Sequence, residues 1–244
     1  MAPPVAADRV FADAGCNLTQ GETDRVESII DGTTLRLAGG AEVRLAGLDA
    51  GTAGDTRAVA VLAELALDRT VAVRHGTILG DRYGRIVGHV FVGGAPVSLQ
   101  SELLTRGLAV VSGLAEDRAC LGEFLVAEEV ARESNVGLWA TTTALNAYGD
   151  EIRFVDGAFA LVEGRVLSIG RRERTVYLNF GREWTTDFTV SMSVGNANAI
   201  EAEGGPLDTL VGQRVRIRGW LTQRDGPWIV VDHAEQIELL DDGS

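Results

Sequence analysis

Short apolar runs broken by turn dipeptides constrain this chain more than any other feature of its sequence. Within residues 24–48, Val26 and Ile29, then Leu35 and Leu37, then Val43, Leu45 and Leu48 are separated by Asp31-Gly32 and Gly39-Gly40. Such runs between turn-forming pairs predict strands joined tightly into hairpins. The spacing then changes. Val59, Leu62, Leu65 and Ala66 fall at helical intervals over residues 55–67, opened by Asp55, which can cap the first turn. Further strands are expected at 70–75 and 86–92, and helices at 97–106, ending before Gly107, and at 117–135, ending before Gly137. In the last helix Phe124, Leu125, Glu128, Ala131 and Arg132 have the sidedness of an amphipathic helix lying on a barrel.

Periodicity is lost over residues 141–150 and returns as β alternation from Phe159. The chain therefore reads as an N-terminal arm (1–23), a first domain (24–140), a linker (141–155) and a second domain (156–240). In the second domain, strands are expected near 160–168, 175–180, 187–193, 214–221, 228–231 and 236–240, with a short helix and loop within 197–210. Five or six short strands with one interposed helix suit an OB-type barrel.

The chain has 22 basic residues, all of them Arg, against 35 acidic ones, a net charge of −13. Both parts stay acidic when the chain is divided after Gly149. That balance argues against tight nonspecific binding of nucleic acid, whose affinity comes from neutralising phosphates, and leaves room for a local Arg groove. No run approaches the roughly 18 apolar residues of a spanning helix, so no membrane insertion is expected. The start, with Pro3 and Pro4, lacks the apolar stretch of a secretory leader. Cys16 and Cys120 match no metal or redox spacing and are either two buried thiols or one disulfide. A disulfide would tie the arm to the 117–136 helix and imply an oxidising compartment, periplasmic or secreted, with the leader lying outside this sequence. Without it the cytoplasm stays open. His75, His89 and His233 have no ligand spacing.

Three motifs occur in a recognisable order: Ile30-Asp31-Gly32-Thr33-Thr34-Leu35, Val43-Arg44-Leu45-Ala46-Gly47-Leu48-Asp49-Ala50, and Asp81-Arg82-Tyr83-Gly84-Arg85. In them the chain resembles the staphylococcal nuclease (thermonuclease) family, with supporting matches at Leu103 to Ala109 and at Gly137-Leu138-Trp139. The likeness spans about residues 24–140. It implies a fold that is mainly β with α: a five-stranded OB barrel with three packed helices, followed here by the second, OB-like β-barrel domain.

Active members of that family cleave phosphodiesters of DNA and RNA with calcium. By resemblance, Arg44 and Arg85 are the phosphate clamp, whose planar forks suit a phosphate bidentately. Asp49 falls on a calcium carboxylate, with Asp31 a further candidate ligand. Where the family has Asp-Gly-Asp-Thr, Thr33 replaces the second carboxylate. Where it has Asp-Thr-Pro-Glu or Asp-Ala-Pro-Glu, this chain reads Asp49-Ala50-Gly51-Thr52, so Thr52 replaces the general base. A hydroxyl cannot take a proton near neutral pH, and losing a base costs about 10²- to 10⁴-fold in rate. Asp55 either caps its helix or swings in as a substitute. Arg44 and Arg85 can instead pair with Glu42 or Asp81, where their worth would be small. Tyr83 suits a turn as well as base stacking.

The expectation is a catalytically impaired thermonuclease-family protein, a binding or scaffolding module with no cofactor. The alternative is a weak calcium-dependent phosphodiesterase, and the second alternative an envelope module acting on a protein partner. The second domain resembles the β-rich module appended to many bacterial members. Tyr177, Trp184, Phe188, Trp220 and Trp228 there can stack bases or fill a core, and Arg171, Arg172, Arg174 and Arg182 can line a groove or be solvated. Its expected partner is single-stranded nucleic acid or a protein.

Overall fold

The computed structural model describes residues 16, 18–50, 56–76, 80–112, 120–141, 144–183 and 185–240. The chain divides into two compact units, Met1–Thr141 and Thr142–Ser244. In the first, the elements run β1 (Thr19–Asp31), β2 (Thr34–Leu37), β3 (Glu42–Leu45), β4 (Leu48–Asp49), α1 (Thr56–Ala66), β5 (Thr70–His75), β6 (Ile86–Val92), α2 (Leu99–Thr105), β7 (Val110–Val111) and α3 (Leu121–Glu133). Five strands close into a barrel in the order β1-β2-β3-β6-β5.

Closure depends on β1, which uses its first half, from Thr19, to pair with β5 and its second half, to Asp31, to pair with β2. Register shifts near Gln20, Val26 and Ile29 bend it between its two neighbours, as bulges do. The strand starts five residues before the apolar pattern that predicts it, at residue 24. Residues 19–23 are exposed, and backbone pairing with β5 holds them with no apolar face to announce it. The other seam is the parallel pairing of β3 with β6, Arg44 opposite Val87.

Strand alternation sends Val26, Leu35, Leu37, Val43, Leu45, Val71, Val73 and Val90 into one core, which Leu62 of α1, Leu103 and Leu104 of α2 and Phe124 of α3 cover. Two polar side chains are buried to satisfy backbone. Gln100 donates to Gly88 O at 2.9 Å and accepts from Val90 N at 3.2 Å, where β6 leaves β3. Glu128 accepts from Val111 N at 2.6 Å, which ties α3 to β7. Gly107 and Gly137 press their backbones together: a Cβ at Gly107 would lie 2.3 Å from Val136 O, and both residues have positive φ. Only glycine fits that crossing. Cys16 and Cys120 are joined in a disulfide across 104 residues of sequence. Among the described residues no helix is long and apolar enough to cross a membrane.

The second unit holds β8 (Leu145–Asn146), β9 (Ala158–Arg165), β10 (Ser168–Arg171), β11 (Thr175–Asn179), β12 (Thr189–Ser193), α4 (Val194–Gly204), β13 (Arg214–Gln223), β14 (Pro227–Val230) and β15 (Ile237–Leu240). They form an eight-stranded sheet in the order β10-β11-β12-β14-β13-β9-β8, with β15 on β13. This is a second β domain, with its own core of Val162, Val176, Leu178, Phe188, Val190, Ile217, Leu221 and Ile229 among others.

Three local differences from the sequence pattern have physical causes. The strand expected at 160–168 divides into β9 and β10, because Val166 N donates to Gln213 O and Leu167 N to Asn179 O, two different neighbours. Residues read as a linker carry β8 and a 3-10 turn, Glu151–Phe154, and bury Ala147 and Ile152 in the second core. The helix within 197–210 begins earlier, at Val194, where the Ser193 hydroxyl caps it by accepting from Asn196 N at 3.0 Å.

Thiol titration of unfolded, unreduced protein is expected to find no free thiol, and two titratable thiols would refute the bridge. Replacing Cys16 and Cys120 by Ser is expected to cost about 2–4 kcal/mol in denaturant unfolding, the usual effect of closing a long loop.

Candidate functional site

The β1–β2 hairpin, the outer face of β3 and the loop before β6 assemble the motif-matched residues. Because Val43 and Leu45 face the core, Arg44 between them must face outward. Opposite it on β2 lies Thr34, which is 1% exposed with a hydroxyl that has no hydrogen-bond partner. One turn earlier, Asp31 Oδ1 accepts from Thr33 N at 2.8 Å and from Thr33 Oγ1 at 3.0 Å, and Arg44 Nη1 reaches Thr33 Oγ1 at 3.4 Å. Asp31, Thr33 and Arg44 therefore form one chain of contacts, with the Thr33 hydroxyl in the middle.

The same turn abuts the next motif. A Cβ on Gly32 would lie 3.1 Å from the Cβ of Ala50 and of Ala58, so the residue after Asp49 packs directly on the hairpin. Asp49 itself sits on β4, paired with Val110, half-buried and engaged by an interaction within the protein. Thr52 and Asp55 lie outside the described residues.

Arg85 immediately precedes β6 and is held by Asp81, to which it donates from Nε at 2.8 Å and Nη2 at 2.7 Å. Asp81 Oδ1 also accepts from Tyr83 N at 2.9 Å and Arg85 N at 3.1 Å, an Asx-type bracket around the turn. Burial pushes the Asp81 carboxyl up, but the Arg85 guanidinium and these two backbone donors together outweigh it and leave its pKa below the ordinary value. Tyr83 is 67% exposed beneath two guanidinium groups, Arg82 at 4.9 Å and Arg85 at 5.2 Å from its ring centroid. Of the two pairings open in the sequence, Arg85 takes Asp81, while Glu42 goes to Arg36 at 2.5 Å and leaves Arg44 to Thr33.

Calcium takes six to eight oxygens, commonly from more than one carboxylate. Here Asp49 is one carboxylate, Asp31 Oδ1 is committed to Thr33, and Thr33 offers a hydroxyl. Among the described residues no three His, Cys, Asp or Glu side chains gather as a metal site. Among the described residues these donors fall short of the oxygen set that calcium takes. Two guanidinium groups stand among these donors: among the described residues Arg44 contacts Thr33 at 3.4 Å, and Arg85 shares its fork with Asp81.

In the second unit the sequence-derived candidates separate. Arg171 is bound by Glu201 at 2.7 Å and Asp208 at 2.9 Å, which raises its pKa and lowers that of Glu201. Phe188 is core, and Trp220 is exposed against Phe159. Arg174 is exposed at a hairpin tip, and Trp184 lies outside the described residues. Arg172, Arg182, Tyr177 and Trp228 line one cavity together with Arg224, which sequence reasoning passed over. Its signal was available: Arg224 opens the Asp225-Gly226 turn that brings it back over Trp228.

Residues 43–141 match the family model described as Staphylococcal nuclease homologue. The matched segment runs from β3 past α3 and holds Arg44, Asp49 and Arg85, and β1 and β2 precede it and complete the same barrel. No curated protein matches the chain.

The Asp81 bracket is testable by titration. Its depressed folded pKa means that it stabilises the turn above about pH 4 and loses that contribution as pH falls through the folded value. Carboxyl-carbon NMR is expected to find the Asp81 midpoint below 3.8 and to find it raised in Arg85→Ala. A midpoint unmoved by that substitution would deny the pairing its role.

Proposed function

We propose that this chain, whose residues 43–141 form a staphylococcal nuclease homologue domain, is a phosphate-recognising binding or scaffolding module with little or no nuclease activity. The observation that carries the reading is the Thr33 hydroxyl, set between Asp31 and Arg44 where the resembling family places a carboxylate for calcium. Arg44 and Arg85 remain able to attract a phosphodiester, which a guanidinium fork binds well. Efficient cleavage also needs an activated water and compensation for the charge that builds on phosphorus. Thr52 cannot act as the base, and the described donors do not gather around a cation. The Cys16–Cys120 bridge supports an oxidising compartment, periplasmic or secreted, as the place where the module works.

Plasmid and RNA cleavage with and without calcium tests this directly. The wild-type chain is expected to show no calcium-dependent rate above background. Thr33→Asp together with Thr52→Glu is expected to restore part of one, and each single change less than the pair. A restored ligand without a base leaves water inactive, and a base without bound cation meets an unneutralised transition state. Gly51, where the family usually has Pro, leaves the new Glu less well aimed, and misplacement by about 1 Å costs roughly 10²-fold. Robust wild-type cleavage that requires calcium and disappears in Arg44→Ala would overturn the reading in favour of a phosphodiesterase.

A further inference from the structure

The second unit carries a cavity of about 930 Å³, near the upper end of the usual range for small-ligand sites. Its floor follows from strand alternation. Val176, Leu178, Val190 and Ile229 enter the core, so Tyr177, Asn179, Thr189 and Trp228 on the same strands face the other way. Asn179, Thr189 and Trp228 stand side by side in one cross-strand row, Asn179↔Thr189↔Trp228. Tyr177 lies in the next row opposite Gly170, which has no side chain to cover the ring. Tyr177 and Trp228 meet edge to face with centroids 5.8 Å apart. The Trp228 indole N–H is spent on Ser191 Oγ at 3.0 Å, so the ring has its π face to offer a ligand.

Three separate loops bring cations to the rim of this aromatic floor. Arg172 comes from the β10–β11 hairpin, Arg182 from the loop after β11 and Arg224 from the β13–β14 hairpin, where its guanidinium stands 5.9 Å from the Trp228 centroid. None of the three makes an ion pair among the described residues. Asp225 is the one carboxylate in the lining. In a chain with net charge −13, a pocket that gathers three guanidinium groups against one carboxylate marks a local reversal of sign.

We propose that this groove binds a short segment of single-stranded nucleic acid, its bases against Tyr177 and Trp228 and its phosphates against Arg172, Arg182 and Arg224. Aromatic faces inside a ring of Arg are how single strands are held without sequence reading. Asn179, Thr189 and Asp225 add donors and acceptors for base edges. A duplex keeps its bases inside and presents phosphates alone, so it uses the rim but not the floor. The cavity suits about two nucleotides of a longer strand, whose bridging and two flanking phosphates can meet the three arginines. The inference rests on the second unit alone and stands or falls independently of the nuclease-domain reading.

Fluorescence anisotropy of the full chain with a labelled ten-residue oligothymidylate tests it. Binding is expected to weaken on the order of 10- to 100-fold in Trp228→Ala, the usual cost of one stacking ring. The log–log salt slope is expected to be about −2, from three phosphate contacts on a single strand. Because Trp228→Ala also removes a packing residue, the exposed Arg182→Ala and Arg224→Ala provide variants that leave the core intact, and each is expected to flatten the slope. Trp220→Ala, outside the groove lining, is expected to change nothing. Unlabelled duplex and base-free polyphosphate are expected to compete poorly. No binding at 100 µM would overturn the proposal. So would equal competition by polyphosphate, or a loss of affinity that follows Arg44→Ala instead of the groove variants.

Discussion

Hydrogen bonding along both edges of one bent strand, β1, makes the first unit a barrel, and most of what matters downstream follows from that closure. A closed five-strand wall has one inside, and filling it with Val26, Leu35, Leu37, Val43 and Leu45 fixes the facing of each residue between them. Arg44 is thus an outward cation because of its neighbours, and the Asp31–Thr33 turn is at its side because β1 and β2 must reverse there. The helices add a lid of apolar residues. They also settle two backbone accounts, with Gln100 on β6 and Glu128 on β7, that the strands leave open.

Thr33 changes more than a ligand count. A carboxylate in its place would stand beside Asp31, and two like charges so close raise one another's pKa. A hydroxyl removes that repulsion. It donates to Asp31 and accepts from Arg44, so the outer face is neutralised by its own side chains. Arg85 follows the same pattern, held by a carboxylate four residues earlier in its own turn.

Much of the barrel was legible because its strands are short, apolar and punctuated. Residues 70–75 and 86–92 read as strands and are β5 and β6. What escaped the sequence was either polar or too short to show a period: the exposed first residues of β1, the two-residue strands β4, β7 and β8, and the break that creates β10. The candidate site was read through motifs, not chemistry. Side-chain pairing decides what each arginine does, and pairing across strands is invisible in one dimension, so Arg171 and Arg182 look alike in the sequence and differ in the fold. The two motif glycines at 107 and 137 likewise read as helix stops, and the structure gives them a joint reason, the contact between their own backbones.

The Cys16–Cys120 bridge has a mechanical consequence. It encloses nearly the whole first barrel in a covalent ring, so tension applied between the two ends of the chain passes from Cys16 straight to the start of α3. The segment between the two cysteines, which are 104 positions apart, is shielded from the load and cannot be drawn out while the bond lasts. At about 3.4 Å per extended residue, reduction would release roughly 350 Å of hidden length. A single link at the edge of the fold thus makes the barrel inextensible under oxidising conditions and extensible under reducing ones.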